Sequence, residues 1–222
     1  MAPGPRHPVR VWDLPVRLFH WLLVALVISQ IITASIGGNA MYYHERGGYT
    51  ILALVLFRIA WGFLGSRHAR FSDFVRGPAA VSAYAKNLLR GEAQPYAGHN
   101  PLGGWSVIAM LASLLLQAST GLFANDDVML EGPLAKHVSK AVSDAVTRVH
   151  DVNAVVLLTL VCVHVAAVLY YLLARRENLI RPMLTGNKTW DGAPPAATRP
   201  ALWRAAVLLL TAVGLVYLIV NL

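Results

Sequence analysis

The stretch RVHDVNAVVLLTLVCVHVAAVLYYLLAR, residues 148–175, decides how the rest of the chain is read. It is long, apolar and free of Pro and Gly, the pattern of a membrane-spanning helix. Two histidines interrupt it, His150 and His164. Their spacing of fourteen residues is close to four helical turns, so both imidazoles leave nearly the same face, about 21 Å apart along the axis. Polar side chains at membrane depth are costly and concentrate at functional positions. Two of them on one face, at two depths, imply two buried ligand sites stacked across a bilayer.

The remainder of the chain agrees with a membrane setting. Of the 222 residues, 56% are hydrophobic and 14% charged, too apolar a balance for an ordinary soluble domain. The one cysteine, Cys162, lies in an apolar run. No disulfide within the chain and no C-x-x-C-H haem attachment motif is therefore possible. The net charge of +8 does not point to nucleic acid, because the Lys and Arg residues collect in particular loops, as membrane orientation requires. The expected fold class is all-α, an integral membrane helical bundle.

Four helices are expected at about 16–36, 44–64, 103–123 and 145–175, within a membrane domain spanning 1–190; an additional C-terminal membrane helix is expected within 200–222. Residues 1–15 read as a short polar tail, 65–100 as a long basic loop with a short surface helix near 79–89, and 176–200 as a basic, Pro-containing loop. With Arg17 at the start of the first helix, the tail, the 65–100 loop and the 175–204 segment hold fourteen of the 19 Lys and Arg residues. The positive-inside rule then places the N-terminus in the cytoplasm.

Of eight histidines, His7, His68, His99 and His137 fall in tails or loops, and His68 and His99 are expected to be loop or headgroup residues. The other four lie in or at the ends of helices. The alternating direction of the helices sorts these by depth: His20 with His164 toward the cytoplasm, His44 with His150 toward the outside. Neutral imidazole binds iron, zinc and copper. Zinc and copper usually take three or four protein ligands, and each depth offers two. A porphyrin supplies four nitrogens itself, so paired histidines favour two non-covalent b haems. Gly47 and Gly48 share a helix face with His44 and would let a flat macrocycle approach the backbone. Arg58 lies fourteen residues after His44, at the depth of the inner pair, where it would meet haem propionates. Gln117 and Thr120 are suited either to line a cofactor or to hydrogen-bond between helices.

Four segments carry a family resemblance: VWDLPVRLFHW at 11–21, HERGGYTILALVLFRIAWGFLGSRHARFSDFV at 44–75, GHNPLGGW at 98–105 and HVAAVLYYLLARRENLIRPMLTG at 164–186. Together they resemble the bacterial cytochrome b561 and nickel-hydrogenase b-type cytochrome group. The resemblance implies a four-helix core with two bis-histidine b haems, its ligand pattern falling on His20, His44, His150 and His164. It also implies electron transfer between the quinone pool and a redox partner such as a periplasmic c-type cytochrome. An electron-transfer subunit is the leading expectation, and a stand-alone oxidoreductase such as a quinone-coupled superoxide oxidase is the alternative. The outer loops hold about as many acids as bases, which opposes steering of a small anion.

Overall fold

The structure, a computed structural model, describes residues 6–128, 130–191 and 202–222. The first five residues of the expected tail, and residues 192–201 of the expected loop and C-terminal segment, lie outside them. Among the described residues, five helices are long and apolar enough to cross a membrane: α1 (Leu14–Ile36), α2 (Met41–Leu64), α5 (Pro101–Gly121), α6 (Lys140–Leu173) and α8 (Leu202–Val220). Between them lie α3 (Phe71–Phe74), α4 (Pro78–Leu89) and α7 (Ile180–Thr185).

Local chemistry sets the helix ends. Asp13 caps α1 by accepting from Val16 N at 2.8 Å, with Pro15 in the first turn, where a missing N–H costs nothing. Gly37, at φ 66°, closes α1 in a backbone conformation that a side chain would disfavour. Asn100 caps α5 through Gly103 N at 2.8 Å, and Ser139 caps α6. The 34 residues of α6 amount to about 51 Å, well beyond a ~30 Å hydrocarbon core. The length accommodates both histidine depths, with the first turns of the helix projecting past them.

The core gathers on α2, which buries Ile51, Leu54, Val55, Phe57, Arg58 and Trp61. It packs against α1, α5 and α8, and α5 packs against α6. The α8 contact is made by small side chains, with Ala205, Ala212 and Val216 buried, the close-approach chemistry expected where lipid gives no hydrophobic drive. In contrast, α6 buries only Ser143, Asn153 and Tyr171. Among the long helices its close backbone neighbour is α5.

The polar tail expected at the N-terminus is instead built into the fold. Strand β1 (Arg6–Arg10) pairs antiparallel with β2 (Asn187–Asp191), from Arg6↔Asp191 to Arg10↔Asn187. Val9, Val11, Trp12 and Asp13 are buried. The Asp13 carboxylate also accepts from Trp61 Nε1 at 3.0 Å and Ser66 Oγ at 2.6 Å, tying the strand to the end of α2. The loop before α5 is fastened as well: Arg175 donates to Gly91 O and Ala93 O, and Asn100 Nδ2 donates to Tyr171 Oη.

Candidate functional site

Two histidine pairs bridge α6 to the rest of the bundle. The rings of His20 on α1 and His164 on α6 lie 6.4 Å apart, centre to centre, with planes at 58°. The rings of His44 on α2 and His150 on α6 lie 6.3 Å apart at 72°. Neither pair is hydrogen-bonded to itself. A metal–imidazole bond of about 2.1 Å plus about 1.1 Å from nitrogen to ring centre sets two trans imidazoles about 6.4 Å apart. Both pairs therefore have a separation at which two imidazoles could hold one metal ion between them. Among the described residues no three His, Cys, Asp or Glu side chains come together as a bare-metal site.

The hydrogen bonds behind the rings define which nitrogen faces the partner. His44 Nδ1 donates to the backbone carbonyl of Gln30 at 3.2 Å and lies 3.4 Å from Thr33 Oγ1. His150 Nδ1 donates to the carbonyl of Gln117 at 3.0 Å and lies 3.2 Å from Thr120 Oγ1. A carbonyl only accepts, so Nδ1 carries the proton in both rings and Nε2 keeps its lone pair for a metal. The same four-residue device, Q-x-x-T, occurs on α1 at 30–33 and on α5 at 117–120. Each threonine hydroxyl bonds back to its own helix: Thr33 to Ser29 O and Gln30 O, Thr120 to Leu116 O and Gln117 O. That posture aims the oxygen at the histidine of the neighbouring helix. Asn153, one turn past His150, locks the arrangement. It accepts from Ser113 Oγ at 3.0 Å and donates to Ser113 O at 2.9 Å and Gln117 Oε1 at 2.7 Å. Sequence reasoning weighed Gln117 and Thr120 but passed over Gln30, Thr33 and Asn153; the repeated Q-x-x-T was the available signal.

The two glycines after His44 differ in surroundings. A Cβ at Gly47 would meet Gln30 Nε2 at 2.1 Å, whereas one at Gly48 would have no neighbour within 4 Å. The missing side chain of Gly47 thus seats Gln30 of α1, and Gly48 leaves its face of α2 open.

The His20–His164 pair has another kind of environment. His20 Nδ1 is inaccessible and without a hydrogen-bond partner, as are Arg17 Nε, Arg58 Nη1, His68 Nε2 and His99 Nδ1. Arg58 is 3% exposed, its guanidinium carbon 5.6 Å from the Phe71 ring centre. His68 and His99, expected as loop or headgroup residues, are drawn inward. His68 is buried and its Nδ1 is 2.9 Å from Asp73 Oδ2. The ring of His99 sits 4.7 Å from that of Trp12 and 4.7 Å from that of Phe74. Burial, and after it the charges of Arg58, His164 and His68, lower the His99 pKa to about 3 against a small opposing pull from Asp73. Its imidazole is neutral. The aromatic residues of β1–α1 and α3 produce this burial, and a polar loop sequence gave no sign of it.

A family model described as "Prokaryotic cytochrome b561" matches residues 11–186, the span that holds both pairs and all of their supporting residues. The chain belongs to the prokaryotic cytochrome b561 family. As a b561-family member it is an all-α, multi-pass membrane b-type cytochrome, an electron-transfer subunit whose family implies haem b. It is similar to a "Probable Ni/Fe-hydrogenase B-type cytochrome subunit" of Rhizobium leguminosarum bv. viciae, at 23% identity over 82% of this chain and 90% of that protein. A protein of the same description from Azotobacter chroococcum mcd 1 is 25% identical over 84% of this chain and 91% of its own length. No solved structure matches the chain. The family span ends before α8, which lies outside it.

Proposed function

We propose that this cytochrome holds two b haems, one between His20 and His164 and one between His44 and His150, and carries electrons between the quinone pool and a periplasmic redox partner. The observation that carries the reading is the pair of ring separations, 6.4 and 6.3 Å, at two depths of one helix. Bound haem b supplies a one-electron iron couple at each pair. The chain's own residues do the rest. The Q-x-x-T carbonyls fix the tautomer of His44 and His150, Asn153 fixes the α5 carbonyl, and Gly48 leaves room beside the ring. Arg58, charged and buried, is assigned to a propionate of the haem at His20–His164. The clustering of Lys and Arg on the tail, the 65–100 loop and the 175–204 segment supports an inner-membrane orientation with the N-terminus in the cytoplasm. His44 and His150 are then outermost.

The names of the relatives favour a nickel–iron hydrogenase over a c-type cytochrome as the outer partner. The 124–143 loop is the assigned docking surface. It is ordered from within: Asp126 Oδ1 accepts from Val128 N and Leu130 N at 3.0 and 2.8 Å, Asp127 pairs with Lys140, and Asn125 Nδ2 donates to Ser143 Oγ and Asp144 Oδ1.

The test is the haem-to-protein ratio of the purified protein and its variants. Two haems per chain are expected, one lost in His44→Ala or His150→Ala and the other in His20→Ala or His164→Ala. Retention of two six-coordinate haems after loss of any one of these histidines refutes the pairing. Stopped-flow mixing with a quinol should then reduce both haems in the parent protein; no reduction would remove the quinone from the proposal.

A further inference from the structure

Among the described residues, and outside the four paired histidines, three unpartnered buried nitrogens gather around the end of α2, the α3 region and the loop before α5. Arg58 Nη1, His68 Nε2 and His99 Nδ1 are each inaccessible and without a partner. Polar nitrogens left so in a membrane protein carry a large desolvation cost unless a ligand meets them. The three side chains belong to one neighbourhood. Arg58 faces Phe71, Phe71 packs on Phe74 at 5.7 Å, and Phe74 packs on His99. A Cβ on Gly98, beside His99, would come within 3.3 Å of His68 Nδ1. Arg58 and His164 are both charge neighbours of His99, so the cluster adjoins the His20–His164 pair.

The nearby acids are already committed. Asp13 accepts three hydrogen bonds, from Val16, Trp61 and Ser66. Asp73 holds His68 Nδ1 and Arg67 Nε. The bond to Asp73 makes His68 Nδ1 the natural donor and fixes the ring, so Nε2 is presented in one orientation. With Asp13 and Asp73 so engaged, Arg58 Nη1, His68 Nε2 and His99 Nδ1 are left without an acceptor, and a buried arginine flanked by two imidazoles is suited to bind a further carboxylate.

We propose that Arg58, His68 and His99 form a cradle for the propionate carboxylates of the haem at the His20–His164 site. The inference rests on the two-haem reading and extends it to two loop histidines that coordinate no metal. Arg58 donates to the carboxylate through its guanidinium and His99 through Nδ1–H, and His68, its Nδ1–H held by Asp73, donates from Nε2 as the imidazolium, whose charge Asp73 compensates. Asp73 is a positioning residue that acts through His68. The loop containing His99 is anchored by Asn100, Arg175 and Tyr171, so haem binding and loop order are coupled.

The test uses full-length apoprotein titrated with haem b and, separately, with haem b dimethyl ester, whose propionates cannot ionise. The parent should take two equivalents of haem b; fewer would overturn the two-haem reading itself. Arg58→Met, His68→Gln and His99→Gln should each weaken one equivalent of haem b roughly ten- to hundredfold, the scale of a lost charge-assisted hydrogen bond. The second equivalent, at His44–His150, should bind as in the parent and so reports intact folding. Arg58→Lys should fall between parent and Arg58→Met. For the dimethyl ester the parent and all four variants should bind alike. Equal weakening of acid and ester would overturn the cradle in favour of a packing role, and so would unchanged binding of haem b.

Discussion

Replacing Asn153 with Leu tests how the α5–α6 seam sets the His150 ligand. Asn153 is 6% exposed and makes three interhelical hydrogen bonds, at 3.0, 2.9 and 2.7 Å. Leucine keeps the same branching at Cγ, is somewhat larger and has none of the polar atoms. At an average of about 0.6 kcal/mol per bond inside a membrane protein, the three account for ~2 kcal/mol. The substitution also strands Gln117 Oε1, whose residue supplies the carbonyl that holds His150 Nδ1. If the whole loss reached the ligand, haem affinity at the His44–His150 site would fall roughly thirtyfold. The Gln117 carbonyl belongs to the α5 backbone and moves only with its helix, so a smaller loss is expected, between three- and thirtyfold on that same scale. The assay is haem titration of the apoprotein, resolved by site through the His20→Ala and His44→Ala backgrounds, alongside denaturant unfolding of the apo form. A drop confined to the His44–His150 site with a less stable apo bundle is the expected result. Equal weakening of both sites, or a destabilised bundle with unchanged haem affinity, would refute the coupling from Asn153 through Gln117 to His150.

Further outcomes follow from the same geometry. Arg58→Met removes a buried positive charge beside the His20–His164 site and should lower the haem midpoint potential there, as read by a spectroscopic redox titration; an unchanged potential would place the guanidinium away from the haem. His99 has a pKa lowered from 6.5 to about 3, so between these values the unfolded chain binds a proton that the folded chain does not. Apoprotein stability should therefore fall as pH drops from about 6.5 toward 3, and His99→Gln should flatten that fall; an equally steep acid transition in the variant would count against it.

The five long helices were legible because each is a long apolar run, and the depth-matched histidines because helix period and alternating direction are simple geometry. The β1–β2 ribbon was not. It joins residues some 180 positions apart, and each half, RHPVR and NKTWD, is short and polar. His68 and His99 lie in connections between the long helices, as expected, but their packing was hidden for a related reason. Their local sequence is that of a loop, and the packing of the His99 ring comes from Trp12 at the chain start and Phe74 of α3. Gln30 and Thr33 stand in an apolar helix with no local mark of function. Only the matching pair on α5, read together with His44 and His150, gives them a role.

The unequal support of the two pairs carries a prediction about potentials. At the His44–His150 pair both rings donate Nδ1–H to a helix carbonyl, at 3.2 and 3.0 Å. An imidazole so polarised is the more basic ligand through Nε2 and favours ferric over ferrous iron. At the other pair, His20 Nδ1 has no partner and no hydrogen bond from the His164 ring is present among the described residues. Buried Arg58 adds positive charge near that pair, which favours the ferrous state. Both effects act in one direction: the His20–His164 site should have the higher potential. Each hydrogen bond contributes on the order of 1 kcal/mol, so the gap should amount to tens of millivolts. Electrons entering at His44–His150 would then move downhill toward His20–His164, the direction needed by a protein that collects electrons outside and delivers them to quinone near the cytoplasmic side. Redox titration of the single-haem variants His44→Ala and His20→Ala measures each site alone. Equal potentials would mean that the Nδ1 bonds and Arg58 do not tune the haems, and a reversed order would put the donor and acceptor ends of the protein the other way round.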